Sequence, residues 1–102
     1  MPTQYQLREY QVKTGEMDEF IAEWHTVIYP LRLRFGFTVV GAWRVGDDRF
    51  VWILKWEHPS KTFEEAEKAY YDSDERKGIN PVPTRHLSNM ETRMMTDAVP
   101  SL

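Results

Sequence analysis

Residues 50–56 carry apolar side chains on both alternating faces, and this constrains the fold more than any other feature of the sequence. The two sets are Phe50, Trp52, Leu54 and Trp56 on one side, and Val51 and Ile53 on the other. Because successive residues of a strand point to opposite sides of its sheet, a strand that is apolar on both sides is buried on both. Any fold of this chain must therefore cover two faces of the sheet that contains this segment.

A helix is predicted over residues 16–35, where apolar residues recur at steps of three and four. The apolar stripe consists of Met17, Phe20, Ile21, Trp24, Ile28, Leu31 and Phe35. Pro30 has no N–H to donate to the carbonyl of Thr26, so we expect a kink or an altered last turn. Gly36 is typical of the residue that ends a helix.

The remaining pattern predicts three further strands and a second helix. Thr62 and Glu65 have the spacing of a capping box, which predicts that this helix starts there, with Phe63, Ala66 and Tyr70 on its inner face. Thr14 is a candidate cap for the first helix. The stretch 72–78 is polar and is expected to be a loop. The further strands are expected at 5–12, 37–45 and 86–96.

The order β-α-β-β-α-β predicts a ferredoxin-like α+β fold with a four-stranded antiparallel sheet. We expect one domain over residues 1–102, a length that suits one domain and not two. Two helices cover only one face of such a sheet, yet residues 50–56 require cover on both. A second copy of the chain meets this requirement, so we expect a homodimer through the open sheet face, a dimeric α/β barrel.

Residues 5–20, YQLREYQVKTGEMDEF, resemble the start of the NIPSNAP family. That family has a Glu-Leu-Arg-x-Tyr strand, a Lys-Pro-Gly turn and a Leu-Asp-Glu-Phe helix. The resemblance continues in Pro30-Leu31-Arg32 and in the Gly41-x-Trp43 strand. The chain departs from the pattern at Gln6, where Glu is usual, and at Thr14, where Pro is usual. A role that the Glu has in relatives would be lost or changed here.

The resemblance implies the dimeric α/β-barrel fold and says less about activity. The wider superfamily includes cofactor-free monooxygenases that act on polyketides, haem-degrading enzymes, isomerases, and ligand-binding or stress-response proteins. Haem binding would need a histidine that points into a large pocket. Most members of the family itself have no assigned reaction.

Arg8 and Tyr10 share one face of the first strand and are the leading candidates for catalytic residues. The guanidinium of Arg8 can anchor a carboxylate or an enolate through paired N–H donors. The alternative is an ion pair within the sheet or between subunits, for example with Glu91. The hydroxyl of Tyr10 can donate to a substrate oxygen, although a tyrosine at such a position more often serves packing.

His25 and Tyr29 are four residues apart and should lie together on the first helix. His25 is a candidate general base, with a structural histidine as the alternative, and Tyr29 is a candidate for substrate binding. His86, at the start of the last strand, can line the mouth of a cavity. Trp43 and Trp52 wall an apolar pocket if both face the open side of the sheet, and belong to the core if they face the helices.

Composition argues against several classes of function. The net charge is −3 without a basic patch, which argues against nucleic-acid binding. Arg32 and Arg34 are taken as a solvated helix end, and Glu64, Glu65 and Glu67 as a solvated helix face. The chain has no cysteine, no histidine spacing typical of metal sites and no glycine-rich phosphate loop, so we expect no metal and no cofactor. No apolar run approaches the length of a membrane span, and we expect a cytoplasmic protein.

Two main functions remain open at this stage, with haem binding as a third. The first is binding or transformation of a small apolar, oxygenated molecule, by a monooxygenase- or isomerase-like reaction, in a cavity between sheet and helices or between subunits. If the cavity lies between the sheets of two subunits, we expect it to be lined by Arg8, Tyr10 and either His25 or His86. The second is a non-catalytic dimeric module for ligand binding or protein interaction, with a packed interior.

Overall fold

Four strands form one antiparallel sheet in the order β2-β3-β1-β4. A computed structural model describes residues 3–99 of the chain. The strands are β1 (Gln4–Val12), β2 (Thr38–Val45), β3 (Arg49–Trp56) and β4 (Leu87–Met95). Helices connect β1 to β2 and β3 to β4, so the predicted ferredoxin-like α+β fold is confirmed. Within residues 3–99, no helix is long and apolar enough to cross a membrane.

The first helical connection is continuous but changes its winding in the middle. It consists of α1 (Met17–Glu23), a π-helical segment (Trp24–Ile28) and α2 (Tyr29–Arg34). The N–H of Tyr29 donates to the carbonyl of Trp24, five residues earlier. The irregularity expected at Pro30 is therefore a π-helical turn that lies directly before this residue. It is not an altered last turn of the helix. Gly36, with φ of 92°, ends the helix as predicted.

The second connection contains α3 (Phe63–Asp72) and α4 (Asp74–Lys77). Thr62 and Glu65 form the predicted capping box. The expected loop at 72–78 is wrong, because Ser73 accepts from the N–H of Arg76 and so starts another helical turn. Thr14 does not cap α1, which follows Glu16 without a side-chain cap. A 3₁₀ turn (Pro83–His86) leads into β4.

The sheet has a helix face and an open face. The helix face, which packs against α1, α2 and α3, holds the buried apolar core together with several buried polar side chains. Its central side chains are Gln6, Arg8, Tyr10 and Val12 of β1 and Phe50, Trp52, Leu54 and Trp56 of β3.

The open face carries the other alternating set. Leu7, Val51 and Ile53 are half-buried, and Trp43 and Val45 are about half exposed, at 48% and 49%. Strand β3 is therefore apolar on both faces, as the sequence predicts, but only its helix-face side chains are buried within one chain.

Candidate functional site

Arg8 is almost completely buried at the centre of the helix face, where all of its nitrogen atoms find partners within the chain. Its Nε donates to the hydroxyl of Tyr10 at 2.8 Å, and its Nη1 donates to Oε1 of Gln6 at 2.6 Å. Nη1 also pairs with Glu67 at 3.0 Å, and Nη2 donates to the hydroxyl of Tyr71 at 2.9 Å. A buried guanidinium is tolerated because every donor direction is used.

Glu67 of α3 joins Arg8 to a second buried guanidinium, that of Arg32 at the end of α2. One carboxylate oxygen accepts from Arg8 and the other accepts from Nη1 of Arg32. Nη2 of Arg32 shares the hydroxyl of Tyr71 with Arg8, at 3.3 Å. We call these residues, with Gln6 and Tyr10, the Arg8–Glu67–Arg32 network. It ties one strand to both helical connections through two positive charges and one negative charge.

The network and its surroundings shift the protonation equilibria of the groups inside it. Burial alone lowers the pKa of Arg8, but the oxygens of Tyr10, Tyr71 and Glu67 outweigh it and the pKa lies above its ordinary value. Burial raises the pKa of Tyr10, against the opposing effect of Arg8. Tyr10 is thus held as a neutral phenol that accepts a hydrogen bond from Arg8.

The sequence predicted only part of this network. Arg8 and Tyr10 lie together, but the suggested ion pair with Glu91 is wrong, because Glu91 lies opposite Glu9 on the open face. Arg32 is buried and Glu67 is only 20% exposed, so the prediction of solvated helix faces is wrong for these two residues. Arg32 follows Ile28 by four residues, and Glu67 follows Phe63 by four, so each charge falls inside an apolar stripe. That spacing is the sequence signal that reveals their burial.

A groove of about 310 Å³ opens beside the network, between α3 and the outer half of the sheet. We call it the α3–β4 groove. Phe63 and Met94 supply apolar surface, while Gln6 and Glu67 are shared with the network. The groove is of the size that small ligands occupy. The residues that line it are Gln4, Gln6, Phe63, Glu64, Glu67 and Met94.

His25 and Tyr29 lie elsewhere. Their rings stack at 5.8 Å between centroids, as their spacing predicts, but His25 is exposed. Together with Trp24 and residues 39–42 they line a shallow depression of about 330 Å³ beside β2. No hydrogen bond between described residues connects either side chain to the Arg8–Glu67–Arg32 network. The structure does not bring His25 together with Arg8 and Tyr10.

Trp43 and Trp52 lie on opposite faces of the sheet. Trp52 is 1% exposed and packs under Arg8, whose guanidinium carbon lies 5.4 Å from the centre of the indole ring. Trp43 lies on the open face, opposite Val51. The two rings therefore cannot wall one pocket, and a cavity between two open faces cannot contain Arg8 or Tyr10.

His86 is buried at the base of β4 in a cluster of carboxylates. Its Nδ1 lies 2.6 Å from Glu16 and its Nε2 lies 3.2 Å from Glu23, which also binds Arg85 through two bonds. The hydrogen bond to Glu16 raises the pKa of His86 above its ordinary value, with a further contribution from Glu23. These contacts fasten the 3₁₀ turn to α1, and His86 does not line the α3–β4 groove.

The NIPSNAP family model matches residues 5–101 of the chain. The chain belongs to the NIPSNAP family. The predicted resemblance is thereby confirmed over nearly the whole sequence. A comparison with curated proteins finds no match.

Several solved structures share the fold at low sequence identity. A NIPSNAP family protein from Agrobacterium tumefaciens superposes with a TM-score of 0.82 at 12% identity, covering 98% of this chain and 90% of that one. A second, described as of unknown function and from the same organism, gives 0.79 at 17% identity, with 98% and 92% covered. A putative antibiotic biosynthesis monooxygenase from Nitrosomonas europaea gives 0.71 at 13% identity, with 96% and 92% covered. At these identities the likeness extends to the fold alone.

Proposed function

We propose that this NIPSNAP protein binds a small apolar, oxygenated molecule in the α3–β4 groove. The observation that carries the proposal is a ligand-sized groove, with Phe63 and Met94 on its walls, that contacts a buried ion network through Gln6 and Glu67. Apolar walls with a few fixed polar groups are the usual composition of a small-molecule site. Because Arg8 and Arg32 hold Glu67 and Arg8 holds Gln6, these polar groups are pre-positioned for a ligand oxygen or hydroxyl.

A titration of 2-naphthol into ¹⁵N-labelled protein tests this proposal. The expected result is a saturable set of amide shifts centred on Gln6, Phe63 and Glu67. Met94→Trp fills the groove and should weaken binding at least about tenfold, roughly 1.4 kcal/mol. Leu33→Trp is the control, since Leu33 is similarly exposed, at 44% against 50% for Met94, and lies on α2 outside the groove. Shifts centred on His25 and Tyr29 instead would contradict the proposal.

The reaction class that the groove favours is one that begins with removal of a proton from the substrate. The charged groups on its walls are the carboxylates of Glu64 and Glu67, and a carboxylate there can act as a general base. This suits a cofactor-free monooxygenase- or isomerase-like reaction, and a structural neighbour is named as a putative antibiotic biosynthesis monooxygenase.

A non-catalytic binding module is the second candidate. This candidate is favoured because every nitrogen atom of Arg8 already donates to an acceptor within the chain. An oxygen electrode separates the two functions for an oxidisable phenol such as 2-naphthol. Oxygen uptake that Met94→Trp abolishes supports a monooxygenase, whereas intact binding without uptake or isomerised product supports the module.

We further propose that two copies of the chain pair through their open faces. Leu7, Val51 and Ile53 form an apolar centre, and Trp43 and Val45 extend it across β2. An apolar patch of this kind normally marks an interface. A symmetric pair would bury the second face of β3, which the sequence requires and one chain leaves half open.

A further inference from the structure

The α3–β4 groove has amide side chains on its β1 side and carboxylates on its α3 side. Gln4 and Gln6 are two residues apart on one face of β1, and Glu64 and Glu67 are three residues apart on α3. A carboxylate only accepts hydrogen bonds, whereas an amide can donate or accept. The orientation of the amides therefore decides which groups a bound molecule must carry.

The amide of Gln6 has one orientation that its surroundings allow. Nη1 of Arg8 lies 2.6 Å away, and a guanidinium only donates, so the amide oxygen must face Arg8. The Nε2 atom forms no hydrogen bond with a described residue, and it is not sealed from solvent. Because Gln6 is 8% exposed and lines the groove, this nitrogen presents its N–H groups there.

Gln4 is held in the same way. Its Oε1 accepts from the backbone N–H of Phe63 at 2.8 Å, a group that also only donates. The amide oxygens of both glutamines are thus used within the chain, and the β1 side of the groove offers N–H donors to a ligand.

The α3 side of the groove offers acceptors. Glu67 accepts from Arg8 at one carboxylate oxygen and from Arg32 at the other, and each oxygen can accept a second hydrogen bond. Glu67 is 20% exposed and lines the groove, so these remaining acceptor positions are within reach of a ligand. Glu64, nearer the solvent, adds a further carboxylate to the same side.

Arg8 holds the donor and the acceptor side by side. Its Nη1 lies 2.6 Å from Oε1 of Gln6 and 3.0 Å from Oε2 of Glu67, so the two side chains end within a few ångström of each other. A matching ligand presents a carbonyl and an N–H on one edge. An open-chain secondary amide does not, because its trans geometry points the two groups in opposite directions. A lactam does, because its ring holds the amide cis.

We propose that the α3–β4 groove selects lactams fused to an apolar ring, with Gln6 as the residue that determines this specificity. Nε2 of Gln6 donates to the lactam carbonyl, Glu67 accepts from the lactam N–H, and the apolar ring lies against Phe63 and Met94. The inference rests on the proposed function, since it names the class of oxygenated molecule that the same groove takes.

A pair of ligands of equal shape tests the selection. 2-Quinolone and coumarin share their fused rings and carbonyl, but coumarin has a ring oxygen in place of the N–H. In titrations of ¹⁵N-labelled protein, 2-quinolone should bind at least about tenfold more tightly, because the ring oxygen of coumarin faces Glu67 without a hydrogen bond. The amide shifts should centre on Gln6, Phe63 and Glu67.

Equal affinities for 2-quinolone and coumarin would overturn the proposal. If 2-naphthol still shifts the groove amides, the groove remains a binding site and only the selection of lactams is rejected. If none of the three compounds shifts them, the proposed function fails as well.

Gln6→Glu tests the role assigned to Gln6. It replaces the donor amide with a carboxylate of nearly the same shape beside Arg8. The affinity for 2-quinolone divided by that for 2-naphthol should fall at least about tenfold, because the lactam carbonyl then faces an acceptor whereas the naphthol hydroxyl can donate to it. Gln11→Glu is the matched control, since it makes the same change at an exposed position on the other face of β1 and should leave the ratio unchanged. A ratio that Gln6→Glu does not lower would overturn the assignment, even if the variant weakens both ligands.

Discussion

Glu67 is the single carboxylate on which two buried arginines depend, and this makes it the most sensitive residue of the helix face. Glu67→Gln leaves the guanidinium groups of Arg8 and Arg32 without a counter-charge among their hydrogen-bond partners. We expect the free energy of unfolding to fall by about 3 kcal/mol, the lower end for a broken buried pair, because Glu67 is 20% exposed. Urea denaturation measures this loss.

Glu64→Gln is the matched control on the same helix, since Glu64 is exposed and the change should stay within about 0.5 kcal/mol. Equal destabilisation by the two variants would show that the network contributes little to stability. The comparison also addresses the sequence interpretation, which placed both glutamates on one solvated face.

His86 gives the protein a stability that depends on pH. Its pKa is raised in the folded chain by Glu16 and Glu23, so the protonated form is favoured by folding. The resulting stabilisation is fully present below the unfolded pKa of about 6.5 and is lost as the pH rises through the higher folded pKa. The urea midpoint should therefore fall over this window, and the fall should be smaller in Glu16→Gln. A midpoint that stays flat through the window in both proteins would contradict this origin.

At the scale of elements, the capping box at the start of α3 contributes to the stability of the fold. Thr62→Ala removes the side-chain oxygen that accepts from the N–H of Glu65, and breaks the capping box. We expect a loss of about 1 kcal/mol in the free energy of unfolding, measured by urea denaturation. Ser60→Ala, two residues earlier in the exposed turn, should have almost no effect. A loss shared equally by both variants would assign the effect to the turn and not to the cap.

Local patterns predicted most elements because their causes are local. The capping box, the glycine that ends α2 and the alternation of β3 each act within a few residues of the chain. The π-helical segment was not predicted, because one wide turn leaves the apolar steps of three and four unchanged. The pairing of Glu67 with Arg8 and Arg32 was not predicted for a different reason: these residues meet only after α2 and α3 have packed on the sheet. The cavities depend on the same tertiary packing, which spacing along one segment does not describe.

At the scale of the whole molecule, Gly41 and Trp43 shape the apolar patch of the open face. A Cβ built on Gly41 would lie 2.6 Å from the ring of Trp43, so only glycine lets the indole lie along β2 in its present position. The Gly41-x-Trp43 spacing, one of the features in which the chain resembles the family, thus has a steric reason. Gly41→Ala should displace the indole and weaken pairing without placing a charge on the surface.

Trp43→Glu provides the sharper test of pairing. It places a carboxylate in the apolar patch of the open face, where a partner chain would have to bury it without a counter-charge. Light scattering should give twice the chain mass of 12.2 kDa for the unmodified protein and a value near 12.2 kDa for the variant. Leu33→Glu is the control, because Leu33 is similarly exposed, at 44%, but lies on α2 away from the open face. If Trp43→Glu keeps the dimer mass while Leu33→Glu loses it, the chains pair through their helices, and the second apolar side of β3 then requires a different cover.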